Sequence, residues 1–130
     1  MPLVQISLIR GRKPETIRAI ADGVHRALME TFSIPPDDRF QLIQQYDAES
    51  LIYDPDYIGV HRTDEVVFIN ITASNWRDTA AKQALYRRIK ELLTAEAGVR
   101  AEDIVVVLTP NTREDWSFGN GLASYVEKAG

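Results

Sequence analysis

One arrangement occurs twice along this chain of 130 residues: an apolar strand, a loop, an amphipathic helix and a second strand. The two repeats cover about residues 1–60 and 61–130. A helix that joins two strands crosses over one face of their sheet, so the two strands of each repeat run in parallel. The sequence therefore predicts an α/β fold in which tandem β-α-β repeats form a four-stranded mixed sheet backed by two helices.

The first repeat contains a clear strand and a clear helix. Alternate residues from Val4 to Leu8 are apolar, which is the period of a strand with one buried face. A helix is predicted to begin at Pro14, because proline is favoured at the first helical position, and a second strand over residues 39–46. The helix carries apolar residues at spacings of three and four, as a helix packed on a sheet does: Ile17, Ile20, Ala21, Val24, Leu28 and Phe32.

The second repeat follows an irregular connection over residues 47–64. A third strand is predicted over residues 65–73, and its first residues are apolar on both faces, which is typical of a central strand. The second helix is predicted over residues 79–97, with Gly98 ending it, and the fourth strand over residues 104–108.

Acidic residues at matching positions support the duplication. The run Pro36-Asp37-Asp38 lies just before the second strand, and the run Ala101-Glu102-Asp103 lies at the corresponding place before the fourth. The two repeats therefore share the position of an acidic residue as well as the order of their elements.

Composition limits the classes of function. The chain is 45% hydrophobic and 26% charged, as in an ordinary globular protein, and its length predicts a single domain over residues 1–130. A net charge of -4 without a block of like charges argues against nucleic acid or a membrane surface as partner. Cysteine is absent and there are only two histidines, which argues against disulfides, thiolate chemistry and a histidine-based metal cluster. Neither a membrane span nor a signal peptide is recognisable, so a cytoplasmic protein is expected.

Pro2 is the residue with the most distinctive chemistry. It directly follows Met1, and a small second residue normally allows the initiator methionine to be removed. Pro2 would then carry a free secondary amine on a buried strand. An α-amino group has a pKa near 8, so modest desolvation or a neighbouring cation brings it close to neutrality. Such an amine can act as a base, donate a hydrogen bond to a carbonyl or condense with it. The alternative is that Met-Pro is only a common way for a chain to begin.

Two further segments carry a resemblance to a known family. The first is Ile34-Pro35-Pro36-Asp37-Asp38-Arg39-Phe40, and the second is Asp115-Trp116-Ser117-Phe118-Gly119-Asn120-Gly121. Together with Pro2 and the duplicated β-α-β pattern, they resemble the malonate semialdehyde decarboxylases of the tautomerase superfamily over essentially the whole chain. The resemblance implies an amino-terminal proline as catalytic group, a homotrimer, and activity without a metal or organic cofactor.

The resemblance also implies roles for individual residues. Asp38 takes the place of the family's catalytic aspartate, where it would raise the pKa of the Pro2 amine and keep it cationic. Arg77 is the only arginine in the loop that directly follows the third strand, and it takes the place of the carboxylate-binding arginine. Better-known members carry a pair of arginines in this loop. The implied catalytic residues are Pro2, Asp38 and Arg77, and the implied substrate-binding residues are Trp116, Phe118 and Tyr125.

These roles predict the decarboxylation of malonate semialdehyde (3-oxopropanoate) or a related 3-oxo acid, a carboxy-lyase reaction. A cationic Pro2 would polarise the carbonyl, and Arg77 would hold the carboxylate beside apolar walls that exclude water. A neutral Pro2 would act as a base instead, which predicts a keto-enol tautomerase or hydratase acting on 2-oxo acids. A third hypothesis is a non-catalytic trimeric binding protein in which Pro2 is merely packed.

Each of these residues also has a simpler structural interpretation. Asp38 follows two prolines and could cap a turn, and Arg77 could be an exposed residue at the start of a helix. The aromatic residues could belong to the core or to a subunit contact. The acidic pair Glu114-Asp115 could activate water, as a hydratase requires. The interpretations differ in which side chains they bring together in the folded chain.

Overall fold

The observed elements follow the predicted order. The computed structural model describes residues 1–127, so the last three positions of the predicted domain lie outside the described residues. The predicted helix over residues 79–97 is found unchanged, whereas the fourth strand continues three residues beyond its predicted end, because it stays paired with the third strand as far as Asn111. The elements are β1 (Leu3–Ile9), α1 (Pro14–Phe32), β2 (Phe40–Tyr46), β3 (Val67–Ser74), α2 (Thr79–Ala97) and β4 (Ile104–Asn111).

The four strands form one mixed sheet in the order β2-β1-β3-β4. β1 is parallel to β2 and β3 is parallel to β4, as the two β-α-β repeats predict, and the repeats meet through the antiparallel pair of β1 and β3. At the start of β1, Leu3 pairs with Phe40 of β2 and with Thr72 of β3. The amino terminus therefore lies between the segment that precedes β2 and the segment that follows β3.

Both helices cover one face of the sheet and build the core. On β1 the buried residues alternate, as predicted, so that Val4, Ile6 and Leu8 face the helices. Each fully buried aliphatic side chain contributes roughly 1.5–3 kcal/mol, so this layer is the main source of stability. The core is completed mainly by residues of the helices and of β3: Ile20, Val24, Leu28, Phe32, Ile69, Ile71, Leu85, Ile89, Leu92 and Leu93.

The ends of the helices are defined by local chemistry. α1 starts with Pro14 at its first turn and ends at Ser33, which has a left-handed conformation (φ 56°). The side chain of Asp78 caps α2 by accepting a hydrogen bond from the Ala81 N–H at 2.9 Å. Gly98 ends α2 with a φ of 65°, which confirms its predicted role. These ends place the segment 74–77 directly between β3 and the capped start of α2.

The other face of the sheet is open and partly apolar. Leu42 of β2 and Val107 of β4 are exposed on it, and the connection between the repeats adds Ile52, which is 91% exposed. Exposed apolar area of this extent is characteristic of surfaces that contact another protein. Within the described residues, neither helix has the length and hydropathy needed to cross a bilayer.

A fully buried carboxylate joins the connection to the start of β4. Asp103 is 0% exposed and accepts hydrogen bonds from the Thr63 N–H at 2.7 Å and from the Thr63 hydroxyl at 2.8 Å. The Arg100 guanidinium donates a third hydrogen bond at 3.2 Å. Buried charge is stable only when it is paired and hydrogen-bonded in this way, so Asp103 anchors the end of the connection.

We therefore expect Asp103→Ala to lower the free energy of unfolding by ~3 kcal/mol, because it leaves buried donors of Thr63 without an acceptor. Urea denaturation at one fixed protein concentration measures this, since assembly makes stability depend on concentration. The matched control is Glu102→Ala, whose exposed carboxylate is hydrogen-bonded to Arg100 alone among residues 1–127; a change within ~0.5 kcal/mol is expected there. Equal losses in the two variants would contradict the anchoring role.

Candidate active site

Pro2 lies buried where three chain segments meet. It precedes Leu3, whose partners are Phe40 on one side and Thr72 on the other. Because β1 is paired along both edges, its amino end is held firmly in the sheet, whereas the ends of most chains fray. The residues that can reach the amino terminus are therefore those just before β2 and just after β3.

The terminal amine contacts Asp38. In this chain the amine belongs to Met1, one residue before Pro2, and stands in for the secondary amine that removal of Met1 would expose. It forms an ion pair with Oδ2 of Asp38, and both side chains are largely buried. The structure thus brings Asp38 to the amino terminus, as the resemblance to the decarboxylases implied.

Asp38 owes its position to a turn made by the two prolines. The Asp38 N–H donates a hydrogen bond to the Pro35 carbonyl at 3.1 Å, which closes the turn and leaves the carboxylate free to face the amine. His25 supports the same turn from α1: it is buried, and its Nε2 donates to the Pro36 carbonyl at 2.9 Å. The main chain of Asp38 therefore closes the turn, while its side chain contacts the amine instead of capping the turn.

Arg77 is buried, so its interpretation as an exposed residue at a helix start is wrong. Only 8% of its surface is exposed, and its guanidinium lies 3.7 Å from the centre of the Trp76 ring and 4.7 Å from that of Phe32. Nη2 donates to the Phe32 carbonyl at 3.0 Å, and Nη1 donates to the Ser74 carbonyl at 3.5 Å. These contacts fix the plane and direction of the guanidinium between α1 and β3.

Two polar atoms in this region lack a partner. Ser74 Oγ and Arg77 Nε are buried and have no hydrogen-bond partner within residues 1–127. A buried polar atom without a partner costs about 1–3 kcal/mol, and such atoms are rare in native structures. The segment after β3 therefore keeps hydrogen-bonding capacity that the described part of the fold does not use.

The environment of the amine acts on its pKa in two directions. Burial, and secondly the charge of Arg77, lower the pKa of the Met1 amine from 8.0 to about 6. The carboxylate of Asp38, in contact with the amine, favours the cation and acts against both effects. The sequence analysis named desolvation and a neighbouring cation as general influences on this pKa, but it assigned a residue only to the opposite effect, Asp38, since burial and the approach of Arg77 are consequences of packing. Small changes near the amine are thus able to decide its protonation state at neutral pH.

The predicted aromatic residues form one cluster. The rings of Trp116 and Phe118 stack with their centres 5.3 Å apart, and Tyr125 meets Phe118 edge-on at 5.4 Å. Phe40, at the start of β2, joins the cluster at 5.5 Å from Phe118. The sequence did not connect Phe40 with the other aromatics, because that contact depends on how the last segment folds back. The cluster forms an apolar wall near the amino end of β1, where Phe40 pairs with Leu3.

Tyr125 connects this cluster with Arg77 electrostatically. Burial raises the pKa of the Tyr125 phenol, while the charges of Arg113 and Arg77 lower it. Burial lowers the pKa of Arg77, and Tyr125 acts in the opposite direction. The guanidinium nevertheless remains a cation at neutral pH, since an arginine is not deprotonated in proteins. The Tyr125 phenol is thus close enough to the Arg77 guanidinium for the two groups to influence each other's pKa.

The segment that carries the aromatics is shaped by a cap and by glycines. The Asp115 carboxylate accepts hydrogen bonds from the Thr112 N–H at 2.8 Å and from its hydroxyl at 3.0 Å, which lowers the pKa of Asp115. The Asp115 carboxylate is occupied by this cap, which counts against the predicted activation of water by the pair Glu114-Asp115. Gly119 has a φ of 137°, a conformation that other residues rarely adopt, and it turns the chain so that the Ser124 N–H reaches the Trp116 carbonyl.

A cavity of about 290 Å³ adjoins Arg77 between β3, β4 and the first half of α2; we call it the α2 cavity. Among its lining residues are Ser74, Arg77, Lys82 and Tyr86. Sequence reasoning missed Ser74, Lys82 and Tyr86 as site residues. For Lys82 and Tyr86, the only feature of the sequence that could have indicated a shared site is their spacing: they lie four residues apart and so share one face of α2.

The arrangement is suited to acid–base chemistry on an anionic carbonyl compound. It combines an amine, a carboxylate and a fixed guanidinium beside an apolar wall. Within residues 1–127, no group of three or more histidine, aspartate or glutamate side chains is arranged to hold a metal ion. The amine and the guanidinium are cationic groups that can stabilise negative charge on a substrate.

Comparison with known proteins agrees with this geometry. Two family models, each described as tautomerase enzyme, match residues 38–119 and residues 2–61. The "Probable tautomerase YusQ" of Bacillus subtilis (strain 168) is 43% identical over 127 residues, which is 98% of this chain and 100% of that protein. The similarity thus includes both repeats and the segment that carries the aromatic cluster.

Solved structures give the same result. FG41 malonate semialdehyde decarboxylase inhibited by 3-bromopropiolate is 40% identical, with a TM-score of 0.89 over 95% of this chain and 94% of that one. A second malonate semialdehyde decarboxylase is 27% identical, with a TM-score of 0.90 over 95% of each chain. A fused 4-OT solved as a symmetric trimer shares the fold at 21% identity and a TM-score of 0.78 over 97% of this chain and 99% of that one. This chain therefore belongs to the tautomerase superfamily, and it resembles the malonate semialdehyde decarboxylases within it.

Proposed function

We propose that this protein decarboxylates 3-oxo acids such as malonate semialdehyde, using the amine that Pro2 carries once Met1 has been removed. The observation that carries the proposal is the position of the terminal amine, which contacts Asp38 and lies within the electrostatic influence of Arg77. The 40% identity with FG41 malonate semialdehyde decarboxylase supports the same substrate class. Substrate, catalytic residues and reaction are all part of this proposal.

Arg77 binds the carboxylate that is lost. Its Nη atoms are held by the carbonyls of Phe32 and Ser74, so the guanidinium presents its remaining N–H groups in a fixed direction. A planar guanidinium is suited to gripping two carboxylate oxygens, and it turns the scissile bond out of the plane of the carbonyl. The aromatic cluster excludes water, which favours loss of the carboxylate as neutral carbon dioxide.

Pro2 stabilises the negative charge that develops on the carbonyl oxygen. As a cation it donates a hydrogen bond to the carbonyl oxygen, so that the electron pair of the breaking C–C bond passes into an enolate. Carbon dioxide leaves, and the enolate carbon then takes up one proton to give the aldehyde. Asp38 favours the cationic form of the amine, and Tyr125 donates a hydrogen bond to the anion beside Arg77.

One observation favours a second function, keto-enol tautomerisation of 2-oxo acids. The pKa of the Met1 amine is lowered to about 6, so an amine in this environment is largely neutral at pH 7. A neutral Pro2 would remove a proton from the carbon next to a carbonyl and return it to the oxygen or to another carbon. The two functions therefore differ in the protonation state that they require of one amine.

The same proposal includes a homotrimer. The open face of the sheet exposes Leu42 and Val107, and the connection between the repeats exposes Ile52. Covering these residues with other copies of the chain would remove apolar surface from water. The fused 4-OT that shares this fold is a symmetric trimer, which supports the same closed assembly here.

We expect Pro2→Ala to reduce carbon dioxide release from malonate semialdehyde at least ~100-fold, a usual contribution of a positioned acid–base group. Wild-type turnover should fall as pH rises through the amine pKa, because the cation is the active form; assays from pH ~5 to ~9 bracket the values of about 6 and 8.0. Turnover of the enol of a 2-oxo acid should instead rise with pH, because the neutral amine is the base.

The matched control is Pro14→Ala at the start of α1, away from the site, for which unchanged turnover is expected. Intact mass shows whether Met1 has been removed in each protein, since a retained Met1 excludes a mechanism that uses the Pro2 amine. Unchanged turnover of both 3-oxo and 2-oxo acids in Pro2→Ala would contradict catalysis by the amine, and would favour the non-catalytic binding protein.

The charges around the amine predict opposite effects of two substitutions. Arg77→Met removes a like charge and should raise the pKa of the Pro2 amine, whereas Asp38→Asn removes the counter-charge and should lower it, each by ~1 unit. NMR titration of protein labelled with ¹⁵N-proline measures both. Arg113→Met is the control, because Arg113 lies over the Tyr125 ring and does not shift the pKa of the terminal amine. Shifts in the same direction for the first two variants would contradict the arrangement.

A further inference from the structure

The α2 cavity adjoins the amino terminus on the helix side of the sheet. Ala73 lines the cavity, and it follows Thr72, the partner of Leu3, so it stands beside Pro2 across the pair of β1 and β3. The volume of about 290 Å³ is near the lower limit of roughly 300–1,000 Å³ that is usual for small-ligand sites. A three-carbon acid held by Arg77 would leave much of this space unused.

The charges that line the α2 cavity are positive. Arg77 and Lys82 contribute to its wall, and no aspartate or glutamate of the described residues lines it. Lys82 forms no ion pair with a carboxylate of residues 1–127. Two cations without a counter-charge in a partly enclosed, largely apolar space favour the binding of an anion.

The unpartnered polar atoms belong to the same wall. Ser74 Oγ and Arg77 Nε are buried without a hydrogen-bond partner in the described part of the chain, and both residues line the α2 cavity. The main-chain carbonyls of Phe32 and Ser74 accept hydrogen bonds from both Nη atoms, which holds the guanidinium in the wall of the cavity. Native structures rarely leave buried donors unused, and those that remain are frequently found at functional sites.

Lys82 and Tyr86 extend the site away from Arg77. Lys82 lies four residues after the cap Asp78, about 6 Å along the axis of α2, and Tyr86 follows one turn later on the same face. The two cations thus belong to different parts of the wall, one before the helix and one within it. A wall with cations in two places suits two anionic groups joined by a short carbon chain better than it suits a single carboxylate.

We propose that the α2 cavity binds a second carboxylate, and that the substrate class is therefore 3-oxo acids with a carboxylate at their far end. The inference rests on the proposed function, in which Arg77 holds the carboxylate that is lost. Lys82 binds the far carboxylate, and the wall also offers the hydroxyls of Ser74 and Tyr86 and the side-chain amide of Asn75 as possible donors. Lys82 is thus a specificity-determining residue.

The test is calorimetric titration of the purified protein with acids that lack an oxo group and cannot react. Glutarate, with two carboxylates, should bind at least tenfold more tightly than butyrate, with one, because only glutarate engages Arg77 and Lys82 together. Lys82→Met keeps most of the aliphatic stem but removes the charge, and it should reduce this ratio to below threefold. The control Lys90→Met removes the same charge from an exposed position two turns further along α2, and it should leave the ratio unchanged.

Equal binding of glutarate and butyrate to the wild-type protein would overturn the inference, and so would an unchanged ratio in Lys82→Met. Circular dichroism confirms that each variant is folded. Because neither probe turns over, the result does not depend on decarboxylation: failure to release carbon dioxide from 3-oxo acids would overturn the proposed function and leave the binding result standing. Conversely, rapid release from malonate semialdehyde with no preference for glutarate would overturn only the inference about the second carboxylate.

Discussion

The position of β1 inside the sheet is the constraint on which the candidate site depends. β1 is hydrogen-bonded to β2 on one side and to β3 on the other, so the first residues of the chain are fixed by two neighbouring strands. A terminus held in this way is rigid and largely desolvated, unlike the frayed ends of most chains. An α-amine in that position meets side chains from both repeats, and its chemistry is determined by them.

The charges at this terminus oppose each other. Asp38 comes from the first repeat and favours the cationic amine, whereas burial and Arg77, from the second repeat, favour the neutral form. Arg77 is itself stacked between two rings and hydrogen-bonded to the main chain, which keeps its charge in place. The fold thus places an amine where it can either donate or accept a proton near neutral pH. This is consistent with a superfamily that contains tautomerases and decarboxylases.

The two repeats use their equivalent aspartates differently. Asp103 accepts hydrogen bonds from the N–H and hydroxyl of Thr63, close to the start of β3, and Asp38 contacts the free amine close to the start of β1. The chain continues through Thr63 but begins at Met1. The same position therefore anchors a loop in one repeat and contacts the terminal amine in the other.

Local patterns were sufficient to predict the elements from the sequence. The alternation in β1, the spacing of apolar residues on α1 and α2, and the ends marked by Pro14 and Gly98 are all properties of neighbouring residues, and all are confirmed. Duplication then predicted the mixed sheet, since each β-α-β unit has one favoured geometry. Pro2 and Asp38 were also predicted from the sequence to lie together, although that prediction came from the resemblance to a family rather than from spacing.

Contacts between distant segments were decided only by the tertiary structure. The burial of Arg77 depends on Phe32 and Trp76, and the cluster around Phe118 depends on a turn that returns the chain to Phe40. The α2 cavity exists because β4 and α2 leave a gap that no local pattern records. The sequence by itself determined which segments are strands and helices and that the chain begins with a potentially reactive proline. Which charges surround that proline was decided by packing between the repeats, because pKa values and cavities depend on distances across the fold.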